Sequence, residues 1–114
     1  MKLIILISLL FSLSTTIQAQ EEKNKMIEEG YELVKNRKMG NCLACHIIIG
    51  EDGPGYYGPP LVSMKTRFPD RQVLFNQIWD ATKKNPLTSM PPFGKNMILT
   101  KGEIEKIVSY LLTL

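Results

Sequence analysis

Cys42-Leu43-Ala44-Cys45-His46 contains both cysteines and the one histidine of this 114-residue chain. Two thiols three positions apart, followed at once by an imidazole, form the C-x-x-C-H pattern of covalent haem attachment. Each thiol adds to one vinyl group to give a thioether, and the adjoining imidazole reaches the iron from the same side. Cys42 and Cys45 are therefore read as the thioether residues and His46 as the proximal axial iron ligand of one haem c. Nothing is left over for a disulfide, a free nucleophilic thiol or a second imidazole. A structural zinc site fits less well, because it usually takes four Cys or His ligands and three are present. A thioredoxin-like dithiol also fits less well, since that motif belongs in a βαβ setting and no strand pattern lies nearby.

Upstream, Lys2 precedes an apolar run at 3–13 and a polar stretch ending Ile17-Gln18-Ala19, the layout of a secretory signal peptide over 1–19. The apolar run is shorter than the roughly 20 residues a membrane-spanning helix needs. No cysteine follows the expected cleavage point to carry a lipid. The expectation is export to the periplasm, cleavage, and one mature domain over 20–114 with no membrane span. A domain of that size buries only roughly 60–65% of its unfolded surface. A rigid apolar cofactor is expected to complete the core, and the haem-free chain to fold poorly.

The formal net charge of +3 is too small to argue for nucleic acid. Bases recur after the motif at Lys65, Arg67, Arg71, Lys83, Lys84, Lys95 and Lys101, while Glu21, Glu22, Glu28 and Glu29 precede it. A solvated surface is the better reading of this pattern than a docking face.

Over 21–38, Met26, Ile27, Tyr31, Leu33 and Val34 recur among charges at spacings of three and four, which predicts an amphipathic helix ending before Gly40. The Gly- and Pro-rich stretch 50–60 predicts a loop along one edge of the haem. A second helix is expected over 70–81, capped by Asp70 and burying Leu74, Phe75, Ile78 and Trp79. Thr100-Lys101-Gly102-Glu103 is a capping box that opens a last helix with Ile104, Ile107, Val108, Leu111 and Leu112 on one face. No segment alternates with period two, so the fold is read as all-α, about three to four helices around one haem. Gly30, beside Tyr31, removes the Cβ that would hold two helices apart and is expected to let the last helix cross closely near Tyr110. Trp79 and the Tyr56-Tyr57 pair are interface anchors or haem-pocket packing, and packing is the better reading.

With His46 as the sole imidazole, the far side of the iron is expected to take a methionine sulfur. Met90 is favoured because Pro91 and Pro92 stiffen the backbone that follows it. Met64 ranks next and Met97 third, and the remaining methionines are read as core filler. His and Met together leave no open iron position and raise the reduction potential, which describes electron transfer. The other nitrogen of His46 needs an acceptor, and the Pro59 carbonyl in Gly58-Pro59-Pro60-Leu61 is the candidate.

A glycine-aromatic first helix, C-x-x-C-H, G-P-x-L, a Met-Pro loop and a terminal amphipathic helix, in that order, resemble the class I cytochrome c family across the mature chain. Within it, Gly40-Asn41-Cys42-Leu43-Ala44-Cys45-His46, Asn85-Pro86-Leu87-Thr88-Ser89-Met90-Pro91-Pro92-Phe93-Gly94 and Ile98-Leu99-Thr100 resemble the SoxX subunits of SoxAX thiosulfate-oxidising cytochromes. That resemblance implies a heterodimer with a SoxA-like haem subunit. It also implies contact with a SoxYZ-like sulfur carrier through the complex, and a downstream cytochrome as electron acceptor. The chain would be not catalytic alone but the electron-transfer subunit of an L-cysteine S-thiosulfotransferase complex. The alternative is a free, diffusible monohaem carrier.

Overall fold

Helix α1 (Lys2–Lys35) is long, but residues 14–25 are exposed along its length and its packed part begins at Met26. The computed structural model describes residues 2–53 and 55–114, with side chains from Ser14 onward. The apolar run at 3–13, on which the signal-peptide reading rests, has its side chains outside the described residues, as Met1 and Pro54 lie outside them altogether. α1 ends at Lys35, three residues before the expected 38. The Asn36 side chain there accepts from the Lys38 amide at 2.9 Å, offering the backbone a turn in place of another helical residue.

Three further helices follow: α2 (Met64–Arg67), α3 (Arg71–Trp79) and α4 (Lys101–Leu111), with no strand among the described residues. The all-α expectation holds. Asp70 caps α3 by accepting from the Gln72 amide at 2.8 Å. The helix stops at Trp79 rather than 81, because Asp80 leaves helical geometry and caps a separate 3₁₀ turn, Ala81–Lys83. The Thr100 capping box is complete, with Thr100 Oγ1 accepting from the Glu103 amide at 3.2 Å and Glu103 Oε2 accepting from the Thr100 amide at 2.7 Å.

α2 has no amphipathic signature and was not expected. Ser63 enters it in a left-handed conformation, the Met64 amide donates to the Leu114 carbonyl at 3.0 Å, and Met64 is 1% exposed. The buried Met64 side chain, its amide bond to Leu114 and the Arg67 bond to the Pro60 carbonyl at 2.7 Å hold this turn. The core joins it to Val34, Leu74, Phe75, Ile78, Ile104, Ile107, Val108 and Leu111. Leu112, expected on the buried face of α4, is only half-buried at its cap.

α1 and α4 cross at Gly30. A Cβ there would lie 2.0 Å from the Lys106 carbonyl oxygen, so the close approach falls one turn before the Tyr110 position anticipated from sequence. Glu29 pairs with Lys106 at 2.7 Å beside the crossing, and Tyr31 sets its ring 5.2 Å from that of Tyr110. Arg71 at the head of α3 grips α4 through the Glu105 carboxylate at 2.6 Å and the Ser109 hydroxyl at 3.0 Å. Gly30→Ala gains helix propensity of about 1 kcal/mol, but the added methyl meets backbone that has no room to yield. It should leave the haem-loaded protein about 1–3 kcal/mol less stable in denaturant titration; unchanged or raised stability would contradict the close crossing.

Candidate haem attachment site

Gly40 and Asn41 carry the chain from α1 into the motif. A Cβ on Gly40 would lie 2.6 Å from the Leu33 carbonyl oxygen, and Asn41 takes left-handed backbone with φ 50°. The next residues form a 3₁₀ turn, Cys42–Ala44, in which the Cys42 carbonyl accepts from the amides of Cys45 at 3.1 Å and His46 at 2.8 Å. Both cysteines are free and half-buried. Burial pushes the Cys42 thiol up to about 11. A dithiol redox switch needs a thiol that ionises readily, so this environment is the wrong one for it. Among the described residues no three His, Cys, Asp or Glu side chains are grouped to hold a metal ion, which leaves the zinc reading without a ligand set.

The loop at 50–60 lies against this segment through its glycines. A Cβ on Gly53 would meet the Leu43 carbonyl oxygen at 2.9 Å, on Gly55 the His46 amide nitrogen at 2.4 Å, and on Gly58 the His46 Cε1 at 2.3 Å. In the sequence these glycines signal only a break in regular structure. Their spacing instead lets the backbone lie directly on the motif and on the imidazole. The Gly58 amide donates to the Cys45 carbonyl at 2.7 Å and the Leu61 amide to the Ile47 carbonyl at 2.8 Å, closing the loop.

His46 Nδ1 lies 2.7 Å from the Pro59 carbonyl oxygen. A carbonyl only accepts, so Nδ1 carries the proton and Nε2 keeps its lone pair for a metal. Arg67, at the end of α2, donates through Nη1 to the neighbouring Pro60 carbonyl at 2.7 Å. Nothing in the sequence flagged Arg67 for this contact, which exists only because α2 brings it back to the loop. Two free thiols on one turn, a free Nε2 and a side-chain-free residue against the ring suit a covalently held haem.

The residues before α4 are held by turns. The Asn85 side chain accepts from the Leu87 amide at 3.1 Å and the Thr88 hydroxyl from the Met90 amide at 3.1 Å. After Pro91-Pro92, the amides of Gly94 and Lys95 donate to the Trp79 carbonyl at 3.1 and 3.2 Å. A Cβ on Gly94 would lie 2.1 Å from the Trp79 ring, which stacks on Phe75 at 5.8 Å. Trp79 thus packs, as expected. Tyr56 and Tyr57 lie on the loop at 84% and 90% exposure of the polypeptide alone.

The three candidate methionines separate by environment. Met64 is interior, with Sδ 3.5 Å from Arg67 Nη1. Met97 sits in left-handed backbone at φ 54° and is 89% exposed. Met90 is half-buried, at the edge of the core. Asp80, unmarked in the sequence, is 5% exposed and ties α3 to this loop. Its carboxylate accepts from the Thr82 amide and hydroxyl and lies 3.4 Å from Lys95 Nζ.

A helical domain built on one C-x-x-C-H turn, with a glycine loop against the histidine, is a c-type haem protein. Residues 25–111 match the family described as cytochrome c oxidase, cbb3-type, subunit III, and the chain belongs to that family. The match begins where α1 starts to pack. An uncharacterized lipoprotein of Aquifex aeolicus (strain VF5) is 34% identical over 77 residues, which cover 65% of this chain and 36% of the relative. The chain thus spans about a third of the length of the curated relative it matches. It is a monohaem c-type cytochrome domain, and the one haem c it holds covalently is an electron-transfer group. Among the described residues no helix is long and apolar enough to cross a membrane.

The Thr82 hydroxyl, and then Lys95, hold the Asp80 carboxyl below its ordinary 3.8. A carboxyl lowered by folding contributes stability above its unfolded value and loses it as pH falls through the folded one. Acid titration of the haem-loaded protein should therefore show stability falling below about pH 4. In Asp80→Asn that fall should be shallower and the neutral-pH stability already lower; an unchanged acid profile would contradict the role given to Asp80.

Proposed function

We propose that this cytochrome is the periplasmic electron-transfer subunit of a SoxAX-like thiosulfate-oxidising complex. The carrying observation is the block running from Asn85-Pro86 through Met90-Pro91-Pro92-Phe93-Gly94 to Ile98-Leu99-Thr100, whose similarity to SoxX is narrower than a bare Met-Pro loop. The exposed Tyr56-Tyr57 pair, one residue from the glycine that covers the imidazole, supports a subunit over a freely diffusing carrier, since aromatic anchors mark lasting interfaces. In the complex a SoxA-like partner joins thiosulfate to a cysteine thiol of a SoxYZ-like carrier, with loss of the thiol proton and two electrons. Those electrons pass through this subunit, one at a time, to a downstream cytochrome.

When bound, the haem supplies a one-electron iron couple. The chain's residues hold it and set its surroundings. Cys42 and Cys45 form the thioethers, His46 Nε2 binds the iron and Pro59 fixes the imidazole through Nδ1. Met90 is the distal ligand. Its place at the core edge supports it over Met64, which the interior occupies, and over Met97, which faces solvent. The leader 1–19 directs export and is cleaved after Ala19, leaving 20–114. The exposed start of α1, before the family match at residue 25, supports that boundary, as a relative described as a lipoprotein supports export.

Replacing Met90 with Ala should abolish the weak long-wavelength sulfur-to-iron band of the ferric protein and let the reduced protein bind carbon monoxide. Persistence of the band would move the ligand elsewhere. Copurification from native periplasm should yield a second haem protein in stable association. A strictly monomeric cytochrome would sink the SoxAX reading and leave the diffusible carrier.

A further inference from the structure

The loop at 50–60 is bound to the haem-attachment segment by backbone contacts, but its entry is tied elsewhere. Gly50 has φ +88° and nothing within 4 Å of a would-be Cβ, so glycine is required there by conformation and not by space. With the Glu51 amide donating to the Ile48 carbonyl at 3.1 Å, residues 48–51 form a turn with positive φ at its third position. That turn sends the Glu51 side chain back to α1, where the Tyr31 hydroxyl donates to Glu51 Oε1 at 2.7 Å in a part-buried contact.

Tyr31 is a stiff post for such a tie. It follows Gly30, where α4 crosses, its ring leans on Tyr110 at 5.2 Å, and Lys35 Nζ sits 4.0 Å over its face. Burial, and after it the Glu51 charge, raise the Tyr110 phenol, as expected of a carboxylate held close to this pair of rings. Beyond Glu51 the loop continues over Leu43, Cys45 and His46 through Gly53, Gly55 and Gly58. Glu51 thus stands at the start of a loop whose later glycines lie on the motif and the imidazole.

We infer that the Tyr31–Glu51 hydrogen bond sets how the loop seats on His46, making Tyr31 and Glu51 positioning residues for the electron-transfer site. The inference rests on His46 as the iron ligand. The phenol gives the loop a fixed distance from the α1–α4 crossing, and the charged acceptor makes the bond stronger than one between neutral groups. Through it the helical frame reaches the Pro59 carbonyl, whose place determines the direction of the imidazole.

The test uses haem-loaded full chain with Tyr31→Phe, Glu51→Ala, Glu51→Gln and the double variant Tyr31→Phe/Glu51→Ala. Removing a charge-assisted hydrogen bond should speed exchange of the Gly58 amide about tenfold. Tyr31→Phe and Glu51→Ala should also move the midpoint potential in the same direction. The double variant should move it no further than either single one, because both remove one bond. Glu51→Gln keeps an oxygen that accepts from the phenol and should restore the potential toward the starting value. Variants that lose stability yet keep the potential, or whose shifts add, would overturn the inference, as would faster exchange without a shift. A starting protein lacking the spectral signature of an imidazole ligand would instead overturn the ligand assignment on which it rests.

Discussion

His46 has two ring nitrogens, and only one can be left for a metal, so the protein has to hold the other. It does so with the Pro59 carbonyl at 2.7 Å from Nδ1. Meeting that demand shapes the surrounding chain. The acceptor has to arrive from a segment with no helical use for its carbonyl, and two successive prolines provide one. The segment also has to pass within contact of the ring, and any side chain at 58 would collide with it. Glycine at 58, with the Gly58 amide on the Cys45 carbonyl, satisfies both demands at once. Arg67 then holds the next carbonyl, which explains why four residues between loop and α3 wind into a turn of helix.

The two segments that carry the candidate iron ligands are built differently. The histidine side is close packing, with Gly53 and Gly55 against the motif's backbone and Gly58 against the imidazole. The Met90 side is a series of side-chain-capped turns on Asn85 and Thr88, anchored to the end of α3 by Trp79 and Asp80. Each arrangement restricts motion, one by close packing and the other by prolines and caps.

What could be read from sequence follows from how local each signal is. The Asp70 cap and the Thr100–Glu103 box involve partners two or three residues apart, and both formed as expected. The Gly30 crossing was legible in kind, since a glycine on a helix face invites close approach, but its partner fell at Lys106, before Tyr110. That displacement depends on the register of two helices more than seventy residues apart, which no local pattern encodes. The Tyr31–Glu51 bond spans 20 residues and depends on the turn at Gly50, so neither residue type announced it. Asp80 looked like the tail of a helix until the chain left helical geometry there and needed its carboxylate.

The thiols bear on the division of labour within the proposed complex. Forming a sulfur–sulfur bond from thiosulfate requires an ionisable thiol on a carrier or an accessible site where sulfur can bind. In this chain Cys42 is pushed up to about 11 by burial, and on the proposed ligand set both cysteines are consumed as thioethers. With His46 and Met90 on the iron, no coordination position is left for a sulfur substrate. In the proposed complex the sulfur chemistry would therefore fall to a partner, and this chain would relay the electrons.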